Sequence, residues 1–110
     1  MESEKREHLR LKISFPVGCR MVDEKKPFYT VFKDISCGGI KLITDNFMKK
    51  SAKVRIEINL IDQVVKGLGE IRWCKQRAYS DTFLAGIKFI DLQPQGESIL
   101  NNFLSQINPS

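Results

Sequence analysis

The sequence is short of the residues from which catalytic and metal sites are usually built. Its one histidine, His8, lies in a charged N-terminal stretch with nothing beside it to orient it as a base. Three cysteines, Cys19, Cys37 and Cys74, make an odd number, and no two have CxxC spacing. That pattern argues against a disulfide framework and against a zinc site. It points instead to a reducing, cytoplasmic compartment. No apolar run approaches the roughly 20 residues that span a bilayer, so membrane insertion is not expected. The opening MESEKREHLR is charged and lacks the apolar centre of a secretory signal. Ser36 and Cys37 have no partner base, so no catalytic residue is nominated, no cofactor is expected, and the chain reads as a binding protein rather than an enzyme.

What is present fits one folded unit. A chain of 110 residues matches a single domain, and 42% hydrophobic with 28% charged residues is ordinary for a globular protein. The net charge of +5 favours anionic partners without choosing among them. Residues 1–10 carry no burial pattern and read as a flexible basic arm; residues 11–110 read as the domain. From Leu11, apolar Ile13, Phe15, Val17, Cys19 and Met21 alternate with other residues, the period of a half-buried strand. Pro16 suggests an edge or a bulge there. Further strands are expected over Phe28–Lys33, Ile40–Thr44, Val54–Leu60, Val64–Lys75 and Phe83–Ile90. In the fifth, Val65, Gly67, Gly69, Ile71 and Trp73 share one face, which puts Trp73 in the core or at the rim rather than on a stacking surface. The period then changes to 3.6: Ile99, Leu100, Phe103, Leu104 and Ile107 form a stripe between Pro94 and Pro109, predicting one terminal helix. Short connections favour antiparallel neighbours, and closure into a barrel removes exposed edges. The expected fold is mainly all-β.

Two stretches carry candidate chemistry. Arg6 and Arg10 lie four apart in the arm. Arginine grips phosphate through paired hydrogen bonds, stacks on rings and pairs with the guanine edge. Asp34 and Ser36 lie two apart, with Gly38 and Gly39 close behind. A carboxylate accepts from guanine N–H groups, a hydroxyl bonds phosphate or base, and glycines permit positive φ and a close ligand approach. Taken singly, each has a simpler reading: a solvated tail for the first, an Asx-type turn for the second. Cys37 reads as a small apolar residue lining that turn.

Together, RxxxR in the arm and DxSxxG some two dozen residues later resemble the signature of PilZ domains, bacterial receptors for cyclic di-GMP. The stretch Gly67–Arg72 is similar to the family's glycine-to-VxR strand, and Gly86-Ile87-Lys88-Phe89 to its GxxF strand. The resemblance implies a six-stranded antiparallel β-barrel with a C-terminal α-helix. It also implies that Arg6 and Arg10 clamp guanine and phosphate, that Asp34 and Ser36 hold a guanine, and that Gly39 makes room. Lys5, just before the arm motif, bears on whether one ligand or an intercalated pair is held. Lys88 and Gly38 are secondary candidates. A downstream protein partner is expected to read the liganded surface. Two alternatives stay open. A small basic β-barrel could bind single-stranded nucleic acid, though the phenylalanines fall within apolar alternation rather than among the exposed basic residues. A PilZ-like adaptor without ligand would keep the fold and change the job.

Overall fold

The computed structural model describes residues 15–60 and 62–107. It contains six strands and one helix, in the order β1 (Pro16–Met21), β2 (Phe28–Ile35), β3 (Gly39–Thr44), β4 (Lys53–Asn59), β5 (Val64–Gln76), β6 (Phe83–Leu92) and α1 (Gly96–Ile107). Every strand pairs antiparallel with both neighbours, and the sheet closes as β1-β2-β3-β6-β5-β4. The six-stranded antiparallel barrel with a terminal helix is therefore the observed architecture. Strand limits lie close to those expected, except that β2 runs two residues further, through Asp34 and Ile35, and β6 two further, through Asp91 and Leu92. Leu11 and Ile13 lie outside the described residues. Pro16 is the first residue of β1, opposite Val31, a position that demands no ladder donor from it.

Alternation dictates the core. Val17 and Cys19 of β1, Val54, Ile56 and Ile58 of β4, and Leu42 of β3 point inward and are buried. Each fully buried aliphatic side chain contributes roughly 1.5–3 kcal/mol. Helix α1 closes one end with Leu100, Phe103 and Leu104, all buried. Phe15 joins that plug to the barrel. Its ring meets Phe32 at 5.7 Å and Phe103 at 5.6 Å, both edge to face. Glu97 in the first turn of α1 suits the positive end of the helix dipole.

Three irregularities break the period of two. Lys33 is an extra residue in β2, because Phe32 pairs with Leu42 and Asp34 with Lys41. Arg72 is extra in β5, because Ile71 pairs with Ile87 and Trp73 with Gly86. Ile90 is extra in β6, where Leu68 pairs with Asp91 and Gly69 with Phe89. A bulge bends its strand and re-aims the side chains beyond it. The first two of these bulges form the candidate site.

Candidate functional site

The turn between β2 and β3 is held by hydrogen bonds within itself and from β6. The Ser36 amide donates to the Gly39 carbonyl at 3.0 Å, and the Gly38 amide donates to Ser36 Oγ at 3.3 Å. From β6, the Phe89 amide donates to the Gly38 carbonyl at 3.0 Å. The Lys33 bulge brings Asp34 opposite Lys41 on the outer wall, where its Oδ2 lies 3.8 Å from Lys41 Nζ. Asp34 is only 5% exposed, so its carboxylate is a fixed feature rather than a solvated one.

The glycines serve space and not positive φ. Among the described residues no glycine has a positive φ; Ser51, Tyr79 and Gln95 do. A Cβ on Gly39 would lie 2.4 Å from the Ile87 carbonyl oxygen, so β3 and β6 can pair this closely only with glycine there. At Gly38 a Cβ would meet nothing within 4 Å. That opening faces the depression in front of the turn, which suits a ligand approaching the backbone.

Trp73 is not where the alternation expects it. The extra Arg72 places Trp73 outside, while Cys74 takes the half-buried position after Ile71. The indole lies across Gly86 of β6, where a Cβ would come within 2.4 Å of its Cε2 and Nε1. Gly86, the first glycine of the GxxF stretch, is thus the seat of the ring. Trp73 is 37% exposed, and Lys75 Nζ stands 5.6 Å from the ring centroid. Lys88 is exposed and directly opposite Gly39 in the β3–β6 ladder. Asp34, Ser36, Gly38, Lys41, Trp73 and Lys88 bound a depression of about 210 Å³. It presents a carboxylate and a hydroxyl as acceptors, ammonium groups as cations, and one flat ring. That combination suits a planar base carrying N–H donors and attached to an anionic group.

The structure therefore gathers Asp34, Ser36, Gly38, Gly39 and Lys88 in one place. Lys5, Arg6 and Arg10 lie outside the described residues. Trp73 and Lys41 are additions that the sequence reading missed. The signal for Trp73 was present: Ile71 and Cys74 are apolar three apart, a spacing that fits a strand only across a bulge. Cys37 is more than an apolar filler. Its thiol is within hydrogen-bond reach of Asn101 Oδ1, so the turn is tied to α1. Burial, and then the charge of Glu97, raise the Cys37 pKa, which keeps the sulfur a protonated donor. Among the described residues no group of histidine, cysteine, aspartate or glutamate could hold a metal ion, and no helix is long and apolar enough to cross a membrane.

Comparison with known proteins agrees with the fold. The family model of the PilZ domain matches residues 4–106. No curated protein matches the sequence. Among solved structures, the Bacillus subtilis inhibitor of motility MotI/DgrA superposes with a TM-score of 0.77 at 17% identity, covering 94% of this chain and 52% of that one. The K. pneumonia MrkH–c-di-GMP complex gives 0.77 at 14%, covering 93% and 52%. The PilZ domain of Escherichia coli YcgR, solved with c-di-GMP, gives 0.63 at 14%, covering 92% and 90%. The chain thus spans about half the length of MotI and MrkH and nearly all of the YcgR domain. With the family model matching residues 4–106 of 110, the chain belongs to the PilZ domain family.

Proposed function

We propose that this PilZ domain is a receptor for cyclic di-GMP, with the ligand held between the Asp34–Gly39 turn and the arginines of the N-terminal arm. The observation that carries the reading is the meeting of acceptors, cations and an indole in one depression at the DxSxxG turn. That MrkH and the YcgR domain were solved with this dinucleotide supports it.

The assignment of roles rests on the chemistry. Asp34 accepts from the N1–H and N2–H groups of a guanine, and Ser36 Oγ bonds the same base or its phosphate. Trp73 stacks on a guanine face, and Gly38 leaves the backbone open to it. Lys88, Arg6 and Arg10 neutralise the two phosphates, the arginines through paired hydrogen bonds. The depression is too small to enclose a dinucleotide, so the arm supplies the remaining walls. Lys5 precedes the two arginines and bears on whether one ligand or a stacked pair is bound. Ordering of the arm around the ligand changes the surface offered to a protein partner, and that change is the signal.

Calorimetric titration of the full chain with cyclic di-GMP tests this. Wild type is expected to bind saturably, Arg10→Ala to lose nearly all binding with the barrel intact, and Asp34→Ala to weaken it by about 1–3 kcal/mol, the cost of a lost charged hydrogen bond. Arg6→Ala and Arg10→Ala variants that both bind like wild type would remove the clamp. A mixed oligonucleotide titrated at two salt concentrations separates the nucleic-acid alternative: tight, salt-steep oligonucleotide binding without dinucleotide binding would replace the receptor reading.

A further inference from the structure

A cavity larger than the depression at the turn lies elsewhere on the barrel. It is an open groove of about 820 Å³ on the wall formed by β1, β4, the start of β5 and the end of β6. Its volume is in the upper part of the range for ligand sites, about 300–1,000 Å³.

Pairing of β1 with β4 sets Arg20 directly opposite Arg55, on the outer face between inward-pointing neighbours. Like charges directly opposite destabilise a sheet. Among the described residues neither guanidinium has a carboxylate partner within ion-pair distance; Arg20 donates instead to the backbone carbonyl of Glu24 at 3.2 Å. The groove is lined by four cations, Arg20, Lys25, Arg55 and Lys66, against two carboxylates, Glu57 and Asp91. Its floor is kept low by Gly18, over which the ring of Tyr29 lies; a Cβ there would stand 3.2 Å from Tyr29 Cε1. Tyr29 itself is 78% exposed, and Leu68 and Leu92 add apolar surface.

We propose that this groove docks an extended, acidic segment of a partner protein, with a carboxylate of that segment gripped by Arg20 and Arg55. The row Tyr29–Gly18–Glu57–Lys66 crosses four adjacent strands, from β2 through β1 and β4 to β5. Three inter-strand steps make about 14 Å, the length of about four residues of extended chain. Arginine and tyrosine are the side chains that dominate protein–protein contacts, and here they stand together beside apolar surface. A nucleic-acid backbone fits less well, since Glu57 in the middle of the row opposes a continuous polyanion. A bilayer surface fits less well because the site is concave. The proposal does not depend on the cyclic di-GMP reading: none of these residues bounds the depression at the turn.

The test uses the full chain, ¹⁵N-labelled, at physiological ionic strength. Three probes are titrated: a short peptide of glutamates interspersed with leucine, the same peptide with lysine for glutamate, and a single-stranded oligothymidylate. The glutamate peptide is expected to bind saturably and to shift the amides around Arg20, Arg55 and Lys66, while the lysine peptide does not. Arg55→Glu should weaken that binding by more than about tenfold, since a like charge then faces the incoming carboxylate. The same variant should raise Tm, because it replaces a like-charge pair by an opposite one, and should leave cyclic di-GMP titrations as in wild type. Absence of saturable peptide binding at millimolar concentration, oligothymidylate binding at least as tightly as the peptide, or Arg55→Glu binding the peptide unchanged would each overturn the proposal. Loss of dinucleotide binding in wild type would count against the receptor reading alone.

Discussion

Gly86→Ala is the substitution from which most can be learned about the candidate ligand site. The added methyl would stand 2.4 Å from Cε2 and Nε1 of Trp73. Comfortable carbon contacts lie at about 3.5–4.0 Å, so the indole must retreat by more than about 1 Å. The ring is more than a third exposed and has room to swing outward, which places the stability cost near the low end of the roughly 1–3 kcal/mol typical of overpacking. The effect on the ligand should be larger than that on the fold. Stacking of a base on an aromatic ring is worth about 1–3 kcal/mol, or about five- to 150-fold in affinity. Gly86→Ala should therefore lose much of what Trp73→Ala loses, although the ring is still present. The assay is convenient because Trp73 is the only tryptophan in the sequence, so intrinsic fluorescence reports it alone. Titration with cyclic di-GMP should change the emission of wild type in step with the heat seen by calorimetry, and both signals should weaken together in the variant. Saturable heat with no change in emission, or a Gly86→Ala protein that binds like wild type, would refute the stacking role.

Other consequences can be checked with less effort. Gly39→Ala places a methyl 2.4 Å from the Ile87 carbonyl oxygen, which is backbone and cannot swing aside; a loss of about 1–3 kcal/mol is expected, read as a drop in Tm of several degrees in a thermal melt. Arg72→Ala should leave the bulge in place and leave Glu70, whose carboxylate lies 3.4 Å from Arg72 and 3.9 Å from Lys53, paired with Lys53 alone; with both cations exposed, Tm should change little, and a large drop would mean that the bulge depends on the Arg72 pair. Burial pushes the Cys19 thiol from its ordinary 9.0 up to about 12. A raised pKa stabilises the folded state below pH 9, and that stability is lost as pH rises through 9 towards 12. Cys19→Ala should flatten denaturant-derived stability over that window relative to wild type, and a thiol reagent near neutral pH should label Cys37 well before Cys19.

Most of the barrel was legible because its strands obey one rule. Val54, Ile56 and Ile58 alternate with Arg55 and Glu57, and that pattern can satisfy a one-sided core only as a strand. The terminal stripe of Leu100, Phe103 and Leu104 was legible for the same reason at a different period. What the sequence concealed lies at the bulges, where strand pairing decides the face and local pattern does not. Trp73 continues the alternation of Ile71 on paper, yet one unpaired residue, Arg72, carries it to the other side. The Lys33 bulge acts likewise on Asp34: two apolar residues three apart, Phe32 and Ile35, are both fully buried, and the aspartate between them is turned to the wall that faces Lys41. Positive φ, one of the two roles expected of the turn's glycines, is not found, while open space beside the backbone is present at Gly38. The close approach of β6 at Gly39 does not show until that strand is in place.

The circular strand order has a consequence for how the domain is made. Without β6, the remaining strands form an open sheet, β3-β2-β1-β4-β5, whose two edges are β3 and β5. Synthesis delivers β6 last among the strands, so any sheet formed by the earlier strands carries both bare edges until residues 83–92 emerge. Then one strand fills both gaps at once. It also brings Gly86 under the indole and the Phe89 amide to the Gly38 carbonyl. β6 is the keystone of the arch: the step that removes the domain's exposed edges is the step that assembles the depression at the turn, so a chain stalled before it lacks both.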